Sequence, residues 1–214
     1  MAAARAVYDA SVERYLELVG TEISPATEGT IDRALLDAFV ELIGTDPGAP
    51  VADVGCGPGR VASFLVSRGV RAVGIDASPA MVAAARAAHP GIAFEVGRLD
   101  ALPLGTASVA GAVCWYSIIH TPADRLADAY AELRRVLEPN GCLLLGFQSG
   151  GETLHRDDAH GTGLPLTSYR HELEDVTRGL GQAGFYVHAT AERSPELAHE
   201  TTPQAFVIAR RSSD

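Results

Sequence analysis

The sequence of 214 residues predicts an α/β fold in which helices cover both faces of a mainly parallel, doubly wound sheet. Two observations predict this fold. From residue 51 onward, short apolar segments typical of strands alternate with longer segments whose apolar residues recur at helical spacing. A glycine-rich turn, V-A-D-V-G-C-G-P-G-R over residues 51–60, joins the first strand to a helix. With 47% hydrophobic residues, the chain is expected to form one domain over residues 1–214.

The elements are predicted in chain order from apolar spacing and from glycine and proline positions. Two helices are predicted before the first strand. The first is indicated by Tyr8, Val12, Tyr15 and Val19 and ends at Gly20. The second is indicated by Ile31, Leu35, Ala38 and Leu42 and ends at Gly44. Strands are predicted at 51–54, 71–75, 92–96, 109–116 and 142–147, and helices at 59–68, 79–88 and 122–137. A helix near 170–181 and two runs that can pair as an edge hairpin, 185–191 and 204–210, complete the chain.

The glycine turn indicates a nucleotide-like ligand. Its glycines let the backbone lie against a ligand, and Asp76 ends the next strand, where a carboxylate can accept hydrogen bonds from ribose hydroxyls. A dinucleotide turn needs G-x-G-x-x-G, whereas Arg60 follows a G-x-G-x-G pattern here. Asp53 would place negative charge where a diphosphate lies, so this turn favours a cationic ligand. An ordinary βα loop remains the structural alternative.

The acid-x-Gly-x-Gly-x-Gly pattern at 53–59, together with the acid at residue 76, resembles class I S-adenosylmethionine (SAM) dependent methyltransferases, and the similarity extends over residues 8–211. The resemblance implies a Rossmann-like, seven-stranded sheet whose last strand is antiparallel, and the strand count agrees with it. It also implies SAM as the cofactor, held by Asp53, Gly55, Gly57 and Asp76.

Residues 97–103 match the adenine segment of that family. The resemblance implies that Asp100 accepts from the exocyclic amine and that the backbone N–H of Ala101 meets the ring. Ala77 and Met81 are predicted to cover the ring faces, although such a methionine is also typical of core packing. Cys114, where strand four ends, is also assigned to the cofactor site.

The end of strand four, C-W-Y-S-I-I-H over residues 114–120, is the candidate reaction centre. Methyl transfer to a hydroxyl needs an aligned nucleophile and a proton acceptor, and His120 suits the second role. The alternatives are that His120 caps the following helix or contacts the cofactor carboxylate. Trp115 and Tyr116 are expected to wall the pocket, with Tyr116 against the substrate, or else to belong to the core.

Residues 1–45 are predicted to form a helical lid. Tyr8 and Tyr15 share one face of the predicted first helix. In related small methyltransferases such a helix closes over the cofactor, which places Tyr15 at the cofactor and Tyr8 at the substrate. A stripe of core residues with the same spacing is the alternative.

Residues 149–169 follow strand five, where the family places substrate-binding insertions, and they are rich in polar side chains. Gln148, Glu152 and His155 are predicted to bind the acceptor, and their polarity suits a substrate rich in hydroxyls, such as a sugar. A divalent metal held by His155, His160, Asp157 and Asp158, or a plain solvated loop, are the other interpretations.

Composition narrows the classes of partner. The chain has 27 acidic residues against 17 basic ones, all of them arginine, so its net charge of −10 disfavours nucleic acid. Three cysteines without a C-x-x-C pair indicate neither disulfides nor a zinc site and fit a reducing cytoplasm. No apolar run has the length of a signal peptide or of a membrane span, so export and membrane insertion are not expected. The oligomeric state does not follow from the sequence.

These observations together predict a cytoplasmic, SAM-dependent O-methyltransferase that acts on a hydroxyl of a small polar molecule, such as a saccharide. Two alternatives stay open at this point. One is N-methylation of a small amine, which the negative charge of the chain would favour. The other is a nucleotide-binding module, for instance for NAD, without transferase activity.

Overall fold

The computed structural model describes residues 2–44 and 48–213, so residues 1 and 45, the ends of the predicted lid, and residue 214 lie outside the described residues. The helices are α1 Ala2–Ala10, α2 Val12–Val19, α3 Thr30–Ile43, α4 Arg60–Ser67, α5 Pro79–Ala88, α6 Leu126–Val136 and α7 Leu173–Gln182. The strands are β1 Val51–Val54, β2 Ala72–Asp76, β3 Ala93–Val96, β4 Val109–Trp115, β5 Leu137–Gln148, β6 Thr153–Arg156, β7 Leu166–Tyr169, β8 Phe185–Arg193 and β9 Gln204–Arg211. Short 3₁₀ turns lie at Ile118–His120, Ala123–Arg125 and Ala159–Gly161.

Seven strands form one sheet in the order β3-β2-β1-β4-β5-β9-β8. The pairs among β1 to β5 are parallel, and β9 is antiparallel to both β5 and β8. The predicted fold, with an antiparallel last strand and a pairing of the final two runs, is therefore confirmed. All four residues of β1 are buried, as expected for a strand that is covered on both faces.

Helices pack on both faces of this sheet. On one face, Leu133 of α6 and Val176 of α7 join a cluster of buried side chains that includes Phe147 of β5. On the other face, Phe39 of α3 and Leu65 of α4 belong to a second cluster. The order of the strands reverses at β1, which lies between β2 and β4, and a crevice for ligands forms at the carboxyl ends of such strands.

The N-terminal region contains three helices rather than the predicted two. A break at Ser11, with φ −118° and ψ 15°, divides the apolar stripe between α1 and α2. The break lets α1 make its own contacts: Asp9 accepts a hydrogen bond from Ser78 Oγ at 2.6 Å, and Val7 packs with Ala159 and Leu166. Tertiary anchoring therefore overrides the continuous helical pattern that the sequence shows.

The predicted polar loop at 149–169 is also more ordered than its sequence indicates. It contains the antiparallel pair β6–β7, in which Leu154 pairs with Ser168 and Arg156 with Leu166. Each strand has four residues and little apolar content, so the alternation that predicts strands is too short to recognise. Leu166 is buried against α1, and this contact fixes the hairpin to the N-terminal helix.

No helix in the two described ranges has both the length and the apolar content needed to cross a membrane.

We expect Leu133→Ala to lower the free energy of unfolding by about 2–5 kcal/mol, because Leu133 is fully buried between α6 and the sheet. Urea denaturation followed by circular dichroism measures the change. Leu18→Ala is the matched control: its side chain is 58% exposed, so its effect should stay below about 0.5 kcal/mol. Equal losses in the two variants would contradict the packing described here.

Candidate functional site

A cavity opens at the carboxyl ends of β1, β2 and β4, beneath α1 and α2. The space within it is about 860 Å³ when the solvent at its open mouth is included. The lining residues are Ala4, Arg5, Tyr8, Tyr15, Gly55, Gly57, Asp76, Ala77, Ser78, Met81, Gly97, Leu99, Trp115, Tyr116, Ser117, Ile119 and His120. The cavity thus brings together nine predicted site residues: Tyr8, Tyr15, Gly55, Gly57, Asp76, Ala77, Met81, Tyr116 and His120.

The glycine turn forms the floor of this cavity. Gly55 and Gly57 have φ of 76° and 51°, a region that glycine enters without steric cost. The N–H groups of Gly55 and Cys56 both donate to the carbonyl of Ile75, at 2.7 and 3.0 Å. A Cβ at Gly55 would collide with the side chain of Ser117. The turn therefore has to pass close beneath the end of β4, and only glycine allows it.

Asp76 lies beside the turn with both carboxylate oxygens engaged. Oδ2 accepts from the Gly57 N–H at 2.8 Å, and Oδ1 accepts from the Ser78 N–H at 2.8 Å. Burial raises the pKa of Asp76, whereas these two hydrogen bonds oppose the rise. The carboxylate is thus held in one orientation at the cavity wall, with lone pairs left to accept from a ligand hydroxyl.

Asp53 and Cys114, two predicted cofactor contacts, lie behind the cavity wall. Asp53 Oδ2 accepts from the Ala62 N–H at 2.9 Å, in the first turn of α4, and burial raises the pKa of Asp53 to about 7. Cys114 is fully buried, and burial raises its pKa to about 12. Asp53 therefore stabilises the start of α4, where backbone N–H groups lack partners within the helix.

The predicted adenine segment is divided in the structure. Leu99 lines the cavity, whereas Asp100 lies outside it and pairs with Arg98 at 2.8 and 2.5 Å. Its hydrogen bond to Arg98 lowers the pKa of Asp100. The Ala101 N–H donates to the Arg98 carbonyl at 2.9 Å, and Ala101 lines an adjoining shallow cavity that also includes Ala77.

His120 joins three segments through its two ring nitrogens. Nδ1 lies 3.0 Å from the carbonyl oxygen of Thr167 on β7, and Nε2 lies 2.8 Å from Tyr8 Oη on α1. A carbonyl only accepts, so Nδ1 carries the proton in the neutral ring and Nε2 accepts from the Tyr8 hydroxyl. Burial lowers the pKa of His120, which keeps the imidazole neutral near pH 7.

Aromatic rings form a roof above the glycine turn. The ring centroids of Tyr8 and Tyr15 are 5.5 Å apart in an edge-to-face arrangement, although the two residues lie on separate helices. The His160 ring lies 5.9 Å from Tyr8 and 6.0 Å from Tyr15. Burial raises the pKa of both tyrosines, so they remain protonated. His160, a predicted metal ligand, belongs to this roof instead.

The remaining predicted substrate residues do not reach the cavity. Glu152 pairs with Arg170, and His155 Nδ1 bonds Thr167 Oγ1 at 3.0 Å. Gln148 ends β5, and its carbonyl accepts from the His171 N–H at 3.0 Å. The β6–β7 hairpin thus uses much of its polarity internally. Across the described residues, no three histidine, cysteine or acidic side chains are arranged to hold a metal ion.

The cavity also contains residues that were not predicted. Ser78 caps α5, with its Oγ accepting from the Met81 N–H at 3.1 Å, and the sequence Ser-Pro at 78–79 is a recognisable helix start. Ala4 and Arg5 lie one helical turn before Tyr8, a spacing that brings them to the same face of α1. Ser117 and Ile119 stand beside predicted residues at the end of β4.

The sequence is similar to those of known methyltransferases. Residues 51–141 match a protein family described as a methyltransferase domain. The chain is 30% identical over 166 residues, 70% of its length, to malonyl-[acyl-carrier protein] O-methyltransferase of Serratia marcescens, and spans 64% of that protein. It is 40% identical over 100 residues, 44% of its length, to trans-aconitate 2-methyltransferase of Methylobacterium nodulans, and spans 36% of that protein. The chain thus covers less than two thirds of either relative.

Solved structures show the same architecture. Magnesium protoporphyrin IX methyltransferase of Synechocystis PCC 6803, with bound SAM, has a TM-score of 0.69 at 19% identity, covering 98% of this chain and 95% of that one. The [4+2]-cyclase SpnF has a TM-score of 0.75 at 19% identity, covering 99% and 96%. The family match, the sequence relatives and the sheet with its glycine turn agree: the chain belongs to the class I SAM-dependent methyltransferases.

Proposed function

We propose that this chain transfers a methyl group from SAM to a hydroxyl oxygen of a small molecule. The observation that carries the proposal is the hydrogen-bonded chain from Tyr8 through His120 to the Thr167 carbonyl, which ends in the cavity above the glycine turn. When bound, SAM supplies an electrophilic methyl group on a sulfonium and leaves as a neutral thioether. The protein then has to align the acceptor, exclude water and remove one proton.

The residues at the floor of the cavity fit the nucleoside part of this cofactor. Gly55 and Gly57 present backbone without side chains, and Asp76 offers carboxylate lone pairs for ribose hydroxyls. Met81 and Leu99 give apolar surface for the adenine ring. Ala77 and Tyr15 are also proposed to contact the cofactor. Asp53 is proposed to contribute indirectly, by stabilising the start of α4. The roles of Asp100 and Ala101 at the adenine edge stay predictions.

His120 is proposed as the proton acceptor. Its neutral ring has the lone pair on Nε2, because Nδ1 donates to Thr167. The hydroxyl proton of the methyl acceptor passes to Nε2 of His120, either directly or through Tyr8. In the second route, Tyr8 Oη takes the proton of the methyl acceptor while it gives its own proton to Nε2. The oxygen keeps the electron pair that forms the new C–O bond. The imidazolium that results loses its proton to water after the acceptor leaves.

The acceptor is not identified by these features alone. A saccharide was expected from the polarity of residues 149–169, but Glu152 pairs with Arg170, His155 bonds Thr167, and the relatives named above do not support a sugar. The relatives named for malonyl and trans-aconitate groups act on molecules that contain carboxylates, so a carboxyl oxygen is a second acceptor class. Tyr116 is proposed to contact the acceptor from the end of β4. Free, buried cysteines are compatible with the proposed cytoplasmic location.

N-methylation of a small amine remains the alternative within the same fold. A neutral amine also loses a proton during transfer, but it does so after the bond forms, so it depends less on a base. The NAD-binding alternative has no support from the family match. The cyclase with the same architecture shows that the fold accommodates other reactions, so transfer has to be measured directly.

Asp76→Asn should weaken binding of S-adenosylhomocysteine by about 10–100-fold, because hydrogen bonds to a charged group contribute about 1.5–3 kcal/mol. Isothermal titration calorimetry measures the affinity, and thermal unfolding without ligand checks that the turn is intact. Asp37→Asn, an exposed position on α3, is the control. Unchanged affinity would refute the ribose assignment, and binding of NAD without binding of S-adenosylhomocysteine would refute the choice of cofactor.

His120→Ala should lower kcat for a labelled hydroxyl acceptor by about 10²–10⁴-fold while the affinity for S-adenosylhomocysteine changes little. A panel of phenols, sugars and amines with radiolabelled SAM first establishes an acceptor. His188→Ala, an exposed histidine on β8, controls for loss of an imidazole elsewhere. A full rate in His120→Ala would exclude His120 as the base, and labelled amine products would favour N-methylation.

The rate should fall in acid and be flat near neutral pH. Burial lowers the pKa of His120 below its usual 6.5, and the neutral ring is the active form, so activity decreases as pH falls through that lowered pKa. The pH profile of kcat/KM measures this dependence. A midpoint above 7 would show that another group controls the rate.

A further inference from the structure

Arg14 and Arg156 differ from most arginines of this chain. Both side chains are exposed, and neither forms a hydrogen bond or an ion pair with any other residue that the structure describes. Most of the other arginines form an ion pair with an aspartate or glutamate side chain: Arg5, Arg60, Arg68, Arg98, Arg125, Arg135, Arg170, Arg178 and Arg193. In a chain of net charge −10, two arginines without such partners leave positive charge available for a ligand.

Both arginines lie near the aromatic roof of the cavity. Arg14 directly precedes Tyr15 on α2, and Arg156 ends β6 opposite Leu166, which packs on Val7 of α1. Burial lowers the pKa of His160, and the charges of Arg156 and Arg14 lower it further. The charge of Arg156 also acts on Tyr8 and His120. Two elements that are distant in sequence thus bring positive charge close to the aromatic roof, although Arg14, Arg156 and His160 are not themselves among the residues that line the cavity.

The backbone at His160 is held in an uncommon conformation. Its φ is 55° and its ψ is 23°, in the left-handed region that residues with a Cβ rarely enter. Asp158 Oδ1 accepts from the Gly163 N–H at 2.7 Å and closes the turn around His160. Strained positions of this kind cluster at ligand sites. This conformation places the imidazole against Tyr8 and Tyr15, where the charges of Arg156 and Arg14 act on it.

We propose that Arg14, Arg156 and His160 bind an anionic group of the methyl acceptor, a carboxylate or a phosphate, while the acceptor's hydroxyl reaches Tyr8 and His120. This inference rests on the proposed function and specifies its substrate class. A guanidinium presents N–H donors in a fork that matches two oxygens of either anion. Without an anion, the charges of both guanidinium groups oppose a proton on His160. An anion bound among them removes this repulsion and fixes the orientation of the acceptor.

Binding is tested with matched probes on the full chain saturated with S-adenosylhomocysteine. The probes are 4-hydroxybenzoate, 4-hydroxyphenyl phosphate and the uncharged 4-hydroxybenzamide. Nuclear magnetic resonance follows the His160 imidazole, assigned with His160→Gln. We expect at least one anion to shift this signal and to bind about tenfold more tightly than the amide. A preference for only one of the two anions identifies the group. No response to either anion, or binding of both anions no tighter than that of the amide, would overturn the proposal.

Arg156→Gln should lower the affinity for the preferred anion about tenfold without changing that for the amide, and Arg156→Lys should restore part of it. Arg33→Gln is the control: Arg33, on α3, also forms no ion pair within the described ranges, but its charge is not among those that act on Tyr8, His120 or His160. Folding is checked by thermal unfolding of each variant. An equal loss in Arg156→Gln and Arg33→Gln would contradict a local anion site.

Labelled transfer separates this inference from the proposed function. If an anion binds at His160 but no hydroxyl acceptor gives a labelled product, the anion site is supported and the transferase proposal is refuted. If kcat/KM is equal for 4-hydroxybenzamide and for the preferred anion, transfer is supported and the anion site is refuted. A product that alkali hydrolyses would be a carboxyl ester, which would make the anion the reacting group and overturn its role as an anchor.

Discussion

The hydrogen bonds of His120 hold together three segments that are far apart in sequence. The ring lies at the end of β4, Tyr8 comes from α1, and the Thr167 carbonyl belongs to the β6–β7 hairpin. The Thr167 carbonyl fixes which ring nitrogen is protonated, and the bond from Tyr8 to the other nitrogen joins α1 to the end of β4. Val7 and Leu166 add a small apolar contact between α1 and the hairpin. The acceptor side of the cavity therefore depends on a polar contact more than on a large core.

The cofactor side has a different physical basis. It follows from the reversal of strand order at β1 and from a glycine turn that passes close beneath Ser117. Two backbone N–H groups orient the carboxylate of Asp76, and Asp53 holds the start of α4 from within the core. These contacts belong to the sheet and to its adjacent helices. None of these three hydrogen bonds involves α1.

This difference explains what the sequence predicts and what it does not. The sheet, the glycine turn and Asp76 follow from consecutive residues, because alternation and glycine spacing are local signals. The bond between Tyr8 and His120 joins residues 112 positions apart, and no local pattern reports it. Spacing also gives the face of a strand but not its depth, so Cys114 was assigned to the cavity although it lies behind the wall. Within 149–169, polarity did not show which side chains bond one another.

Charges of opposite sign act on different parts of the site. Asp76 lies beside the glycine turn, where the charge of Asp9 further raises its pKa, so this end favours a cation such as a sulfonium. Arg14 and Arg156 act on His160 in the roof, where the anionic group of the acceptor is proposed to bind. Fields of opposite sign favour each reactant at its own end and disfavour the reverse arrangement. The acidic composition of the whole chain conceals this division, because the acids that pair most of the other arginines lie outside the cavity lining.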